Sequence, residues 1–377
     1  MNILIIGGGF VGITAARNLQ KKIGKTARIT VVSSSDRFLF TPRLIDVLGS
    51  NIDALATYSV AIDTIARRDG FAFLHADVLE IHRDKKEVTC KHLPSGVQTI
   101  LAYDTLVISP GAQTSWFGIP GAQAHSIGLK TMEDVTAIHE RIDTLLDEKN
   151  TINVCVVGAG PTGVEGIFAV RQYIEQQQKA RATSIPCTYT LIQGAPQILP
   201  GFPLQIVKSI VRDCSAQQIN VIVNEPVTQI TQDYLVTTHH PKIPADLTIW
   251  AGGLQPNLIP IIPPVQLNSA GWLMVDHHLS VAPNIFAAGD STAYLERNVT
   301  VPKNAQTAML MSQTLCENIM RLHHNKPLRP FHYQSKGNIL VIGKTGYIDA
   351  KLFCIRTTAA PLIRDLLYRF RQYQITG

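Results

Sequence analysis

Two glycine-rich turns carry the most specific chemistry in this sequence. Gly7-Gly8-Gly9-Phe10-Val11-Gly12 follows the short apolar run Asn2 to Ile6, and Gly158-Ala159-Gly160-Pro161-Thr162-Gly163 follows Thr151 to Val157. Between a strand and a helix each glycine of such a turn has a task. Gly7 and Gly158 make the turn, Gly9 and Gly160 let a pyrophosphate approach the backbone, and Gly12 and Gly163 let the helix pack close to its strand. The helix N-terminus that follows offers unpaired N–H groups and a partial positive charge to the phosphates. One such motif is weak evidence, but two in the full strand–turn–helix context predict that the chain binds two dinucleotides. Glu165 comes just after the second turn and reads as a first-turn residue of its helix, where a carboxylate can answer the dipole.

The flanking elements are legible from periodicity. Val11, Ala15, Leu19 and Ile23 recur at helical spacing before the β-branched run Arg28 to Val32; after the second turn a helix runs to about Gln178 and a strand covers Cys187 to Gln193. Tyr103 to Ala112 reads as a strand leaving the first nucleotide domain, Leu247 to Gly253 as a strand returning from the second, and Asn284 to Asp290 as a strand ending in Gly-Asp. The predicted fold is α/β: two Rossmann-like dinucleotide-binding domains, the second inserted in the first, plus a C-terminal segment. The expected boundaries are 1–112 with 246–330, then 113–245, then 331–377.

Composition narrows the class. The 377 residues are 45% hydrophobic and 16% charged, too apolar for disorder and too long for one ordinary core. No run of 18 apolar residues occurs, so no spanning helix is expected, and the glycines begin too early for a secretory signal, which predicts a cytoplasmic protein. Six dispersed cysteines without CxxC argue against zinc or a disulfide scaffold, and no metal site is expected. The net charge of +6 favours an anionic partner, yet the basic residues are spread along the chain, so nucleic-acid binding is not expected. His239-His240, His277-His278 and His323-His324 read as surface pairs.

Together with Leu39-Phe40-Thr41-Pro42, Ala287-Ala288-Gly289-Asp290 and Ala305-Gln306-Thr307-Ala308, the two turns make the chain resemble the type II NADH:quinone oxidoreductases over nearly its whole length. These are two-dinucleotide flavoproteins on a membrane surface. The resemblance implies FAD in the first site, a nicotinamide cofactor in the second, and hydride transfer from NAD(P)H to FAD followed by two-electron, non-pumping reduction of a quinone. It implies that Asp290 hydrogen-bonds an FAD hydroxyl, since a carboxylate beside a pyrophosphate would be repelled; a helix cap is its alternative. Thr41-Pro42 falls against the flavin ring and Val78 against the adenine, with a plain turn and a core valine as the alternatives. Phe10, Val11, Ser33, Arg37, Gly111, Gly289 and Ala305 complete the implied flavin site, and Gly252 joins the nicotinamide site.

The same resemblance makes Glu165 a candidate for proton delivery to the quinone, its pKa raised by burial. It makes Gln306 a hydrogen-bond partner of a quinone carbonyl, although Leu310 stands where relatives carry a second glutamine. The helix opening at Pro302 to Gln306 would favour an anionic reduced flavin. The usual ribose-binding acid is missing from both domains: Ser33 stands in the first and Gln193 in the second. Glutamine does not repel a 2′-phosphate, so NADPH is expected to be accepted alongside NADH.

Ala359 to Gln374 separates by face. Leu362, Ile363, Leu366, Leu367, Phe370 and Tyr373 share one side, Arg364, Asp365, Tyr368 and Gln372 the other, with Arg369 and Arg371 on the borders. Spacing alone suits a stripe packed on the core or on a second subunit, leaving a homodimer open. The resemblance instead implies peripheral attachment to the cytoplasmic face of the cell membrane. Two other readings stand beside quinone reduction. Sulfide:quinone oxidation would need cysteines around the flavin, for which Cys155 and Cys354 are ill placed, and a non-enzymatic NAD(P)H sensor would form a stable reduced complex without turnover. A dithiol reductase is disfavoured because Arg37 to Leu48 holds no cysteine.

Overall fold

The computed structural model describes residues 1–50, 57–296, 299–350 and 353–377. The chain opens with β1 (Asn2–Ile6), α1 (Phe10–Ile23) and β2 (Arg28–Ser33). The apolar spacing of α1 is satisfied on one face: Ile13, Ala15 and Leu19 are fully buried, and burying a leucine this way contributes about 1.5–3 kcal/mol. A short helix, α2 (Leu44–Leu48), precedes β3 (Ala72–His82), which continues into an antiparallel meander through Glu87–His92 and Gln98–Ala102 before β4 (Thr105–Ile108). β3, β2, β1 and β4 lie side by side and parallel, and the near-continuous apolar runs of β1 and β4 follow from burial on both faces.

The chain then builds a second parallel sheet. It contains Ile127–Gly128, followed by α3 (Met132–Glu148), β5 (Ile152–Val157), α4 (Pro161–Ala180), β6 (Cys187–Ile192), α5 (Leu204–Ala216), β7 (Ile219–Ile222) and β8 (Leu247–Trp250). The strand order is Ile127–Gly128, β8, β5, β6, β7, all parallel. Helices α3, α4 and α5 bury one face, and a small antiparallel sheet within 227–244 covers the other.

Leu247 was expected to return to the first domain at residue 246, and here the structure differs. β8 pairs with β5 inside the second sheet, Val156 opposite Ile249, because its four buried residues complete that core. The crossing falls later, where Leu254–Pro256 runs antiparallel to the outgoing Ala112–Thr114. β9 (Ile285–Ala287) then pairs with β4 in the first sheet, and α6 (Ala305–His323) packs along α1.

The remaining chain forms the antiparallel strands Asn338–Ile342, Thr345–Ala350 and Phe353–Thr357, followed by α7 (Ala360–Thr376). α7 docks by its polar face. Arg364 is buried and Ile375 is fully covered, whereas Leu362, Leu366, Phe370 and Tyr373 are 63%, 58%, 56% and 70% exposed. Among the described residues, no helix is long and apolar enough to cross a membrane.

Candidate active site

The first glycine turn is shaped by what its backbone cannot tolerate. Gly7 has φ +104°, and a Cβ there would fall on the Ser109 carbonyl oxygen; one at Gly12 would fall on that of Gly7. At Gly9, the N-cap of α1, a Cβ would meet no atom within 4 Å, and no side chain caps the helix. That open space before unpaired N–H groups fits a pyrophosphate. The opposite wall is Gly289, with φ +78°, whose missing Cβ would stand 2.8 Å from Val11 Cγ2 and 3.8 Å from Ala308 Cβ. The starts of α1 and α6 and the turn after β9 therefore converge. α6 begins at Ala305, capped by Asn304 Oδ1, which accepts from Thr307 N–H at 2.9 Å.

Asp290 sits in the 3₁₀ turn Gly289–Ser291 and caps nothing. Among the described residues no donor hydrogen-bonds its carboxylate; Lys130 Nζ lies 3.5 Å away. Ser33 is buried against Gly8, its Oγ accepting from Ser35 N–H. Arg37 is held by Ser59, donating from Nε to Oγ at 2.8 Å. Phe10 packs edge-on to Phe38 and Phe40 at 5.3 and 5.5 Å, and Thr41-Pro42 form an adjoining 3₁₀ turn. Val78 packs partly buried on the core beneath the sheet. Gly111, with φ +76°, follows β4 beside the crossing.

The second turn repeats the first. Gly158 has φ +97° with Ala251 O 2.5 Å from its missing Cβ, a Cβ at Gly163 would fall on Gly158 O, and the position above Gly160 is empty. Gly252 adjoins the Gly158 turn and packs under the Trp250 ring. Gln193 follows β6, its Oε1 accepting from Ala159 N–H at 2.9 Å.

Glu165 departs from expectation. α4 begins at Pro161, so Glu165 lies in the second helical turn and does not answer the dipole. It accepts from Val341 N–H at 2.5 Å and from Arg364 Nη1 at 2.6 Å. Arg364 Nη2 reaches Asp46 at 2.5 Å; Arg43 bonds Asp46 at 2.9 Å and Asp365 at 2.7 Å; Tyr368 lies 5.2 and 5.6 Å beneath the two guanidinium groups. Burial pushes the Glu165 carboxyl up to about 7 against the opposing pull of Arg364. A cavity of about 270 Å³ borders this cluster, lined also by Gly49, Phe168, Val341 and Pro361.

Gln306 lies apart from that network. Its Oε1 accepts from Lys336 N–H at 3.1 Å and its amide faces the Gly337 carbonyl at 3.5 Å, so the structure ties it to the linker after α6. Arg43, Asp46 and Arg364 were not anticipated. Arg364 falls in the polar stripe of α7, which spacing alone cannot distinguish from a solvated face. Among the described residues all six cysteines are free; Cys90, Cys155, Cys214 and Cys316 are buried, and burial raises Cys155 to about 12. No three described His, Cys, Asp or Glu residues are grouped to hold a metal.

Two glycine turns, each between a parallel strand and a helix on its own sheet, define the fold of a nucleotide-dependent oxidoreductase. The pyridine nucleotide-disulphide oxidoreductase family model matches residues 1–312, and the chain belongs to that family. It is similar to the type II NADH:quinone oxidoreductase of Haemophilus influenzae, 25% identical over 419 residues covering 100% of this chain and 94% of that one. It is also similar to the demethylphylloquinone reductase NdbB of Synechocystis, 28% identical with 99% and 94% covered. Among solved structures, NDH2 from Plasmodium falciparum in complex with NADH superposes with a TM-score of 0.87 at 20% identity, covering 100% of this chain and 96% of that one. The sulfide:quinone oxidoreductase of Aquifex aeolicus shares the fold at a TM-score of 0.84 and 19% identity, covering 100% and 91%.

Proposed function

We propose that this chain is a FAD-dependent NAD(P)H:quinone oxidoreductase that pumps no protons. The observation that carries the reading is the pair of glycine cradles in one chain, each with an open pyrophosphate position at Gly9 and Gly160. Curated relatives named as quinone reductases cover its whole length. FAD, when bound, supplies two-electron redox chemistry between a nicotinamide and a quinone. The first cradle, with Asp290 free to accept from a hydroxyl, holds FAD; the second, with Gln193, holds NADH and tolerates NADPH. The flavin unit comprises 1–112 with about 254–330, the nicotinamide unit the chain between, inserted in it.

The protein's own part is orientation and proton handling. Glu165, at about 7, exchanges a proton near neutrality and suits a quinone that must gain protons with its electrons. Gln306 reaches a quinone carbonyl only by releasing Lys336 and Gly337. The placement of the cysteines argues against sulfide chemistry: Cys90, Cys155, Cys214 and Cys316 are buried, and burial raises the Cys155 thiol to about 12. The outward apolar face of α7 suits peripheral attachment at the cytoplasmic face of the cell membrane, and a homodimer through α7 would cover the same face.

The test is direct. The purified FAD-loaded protein is mixed anaerobically with NADH, then with a quinone, while flavin absorbance is followed. Bleaching and then recovery is expected. A colourless protein that cannot take up FAD refutes the reading, and a stable bleached state without recovery converts it to the sensor.

A further inference from the structure

The Gly289–Ser291 turn is gripped from two sides. From its own unit, Lys303 donates to the backbone carbonyls of Asp290 at 3.1 Å and Thr292 at 2.5 Å, with its ammonium 3.6 Å from the centre of the Trp272 ring. This fixes the backbone without engaging the Asp290 carboxylate. From the other unit comes Lys130, whose Nζ stands 3.5 Å from Asp290 Oδ2, both side chains about three-quarters buried.

Lys130 is itself placed with unusual care for a surface-type residue. It follows Ile127–Gly128, the edge strand of the second sheet, and its backbone N–H donates to Asp134 Oδ2 at 2.8 Å. The same carboxylate accepts from Thr131 N–H at 2.9 Å, and the Thr131 hydroxyl accepts in return from Asp134 N–H, so the capping box of α3 holds Lys130 at the helix start. Fixing a lysine side chain costs more rotamer entropy than a partly exposed single ion pair typically returns. The 3.5 Å pair is too long to occupy the carboxylate's hydrogen-bonding directions. Stability therefore gives a poor account of the arrangement, whereas orientation of a carboxylate reserved for another donor gives a good one.

We infer that Lys130 is a positioning residue of the flavin site, contributed by the nicotinamide-binding unit, which aims Asp290 at a hydroxyl of FAD. The inference rests on the assignment of FAD to the first cradle. Its consequence is coupling: the side chain that tunes flavin affinity belongs to the unit that binds the other cofactor, so the two units must be docked for FAD to be held tightly. The lysine acts through Asp290, and removing it matters only while Asp290 is present.

The experiment measures FAD dissociation constants of reconstituted wild-type, K130Q, K130R, D290N and K130Q/D290N proteins from flavin fluorescence, with thermal melts of the apoproteins as the folding control. K130Q is expected to bind FAD five- to twentyfold more weakly with an unchanged melt, K130R to restore affinity to within about threefold, and the double variant to match D290N. Unchanged affinity in K130Q, failure of K130R to restore it, or additive losses in the double variant overturns the inference. A K130Q protein that misfolds overturns it too unless K130R, which folds and keeps the charge, binds FAD as the wild type does and D290N shows the loss. A wild type that takes up no flavin refutes the functional reading itself, so the two failures are distinguishable.

Discussion

Arg364 and Glu165, 199 residues apart, meet at 2.6 Å, so the C-terminal helix reaches into the side of the helix that opens the second dinucleotide cradle. One guanidinium serves Glu165 and Asp46 together and ties three separate segments of the chain. The network contains two arginines and three carboxylates; removing Arg364 takes from the buried Glu165 its one charged partner in the network and leaves Asp46 with Arg43 alone.

R364Q is therefore expected to lose about 3–5 kcal/mol of stability, the usual range for breaking a buried pair from one side. R364K recovers only part of this, because a lysine cannot serve two carboxylates in one plane. Urea denaturation of both variants checks it; a loss below about 1 kcal/mol in R364Q would show that the network is not structural.

Glu165 titrates near 7 in the folded protein against an ordinary value of 4.5, with burial as the main cause. A raised acid contributes stability fully present below about 4.5 and lost as pH climbs through 7. Wild-type stability should fall across that window, by on the order of 3 kcal/mol, while E165Q stays flat in comparison. In turnover, E165Q should slow quinone reduction by about 100-fold or more with flavin reduction by NADH intact. Equal oxidative rates in stopped flow would remove Glu165 from proton delivery.

The glycines of the second turn separate fold from binding. G160A places a methyl in empty space, so the melting temperature should hold while NADH binding weakens at least tenfold, since the methyl occupies the pyrophosphate's approach. G163A drives a methyl onto Gly158 O and should lower both. Calorimetry and NADH titration distinguish the two; unaltered NADH affinity in G160A would place the cofactor elsewhere.

Gln193, just after β6, spends its side-chain oxygen on Ala159 N–H, which leaves its NH₂ to face a nucleotide bound in the proposed second cradle. The NADH and NADPH efficiencies should lie within a hundredfold of each other, and Q193E should widen the gap by at least tenfold through repulsion of the 2′-phosphate. Steady-state kcat/KM values with both cofactors decide it; a wild-type preference for NADH above a hundredfold contradicts the assignment.

For attachment, truncating 359–377 is a blunt test, because it also removes Arg364. Replacing Leu362, Leu366 and Phe370 by Ser changes only the outward face. The triple variant should keep its melting temperature and stop floating with anionic vesicles, and flotation that persists would clear α7 of anchoring.

The two cradles were readable because their signals are local. A turn that forbids Cβ atoms at Gly7 and Gly12, followed by buried Val11, Ala15 and Leu19, requires nothing beyond its own stretch of chain. The same locality has its limits. Leu247 to Trp250 is an apolar run that would suit either sheet, and only pairing with β5 assigns it to the second. The position of Glu165 within α4 depends on where Pro161 lets the helix begin.

Amphipathic spacing in α7 announced two faces but not which of them points inward. That was settled by partners far away in sequence: Glu165, Asp46 and Arg43 offer complementary charge to Arg364 and Asp365, whereas among the described residues Leu362, Leu366 and Phe370 stay more than half exposed. Periodicity is a property of one segment and can be read from it. Burial depends on which surfaces the folded chain brings to face each other, and for charged groups whose pairing must offset desolvation, that is known only once every partner is in place.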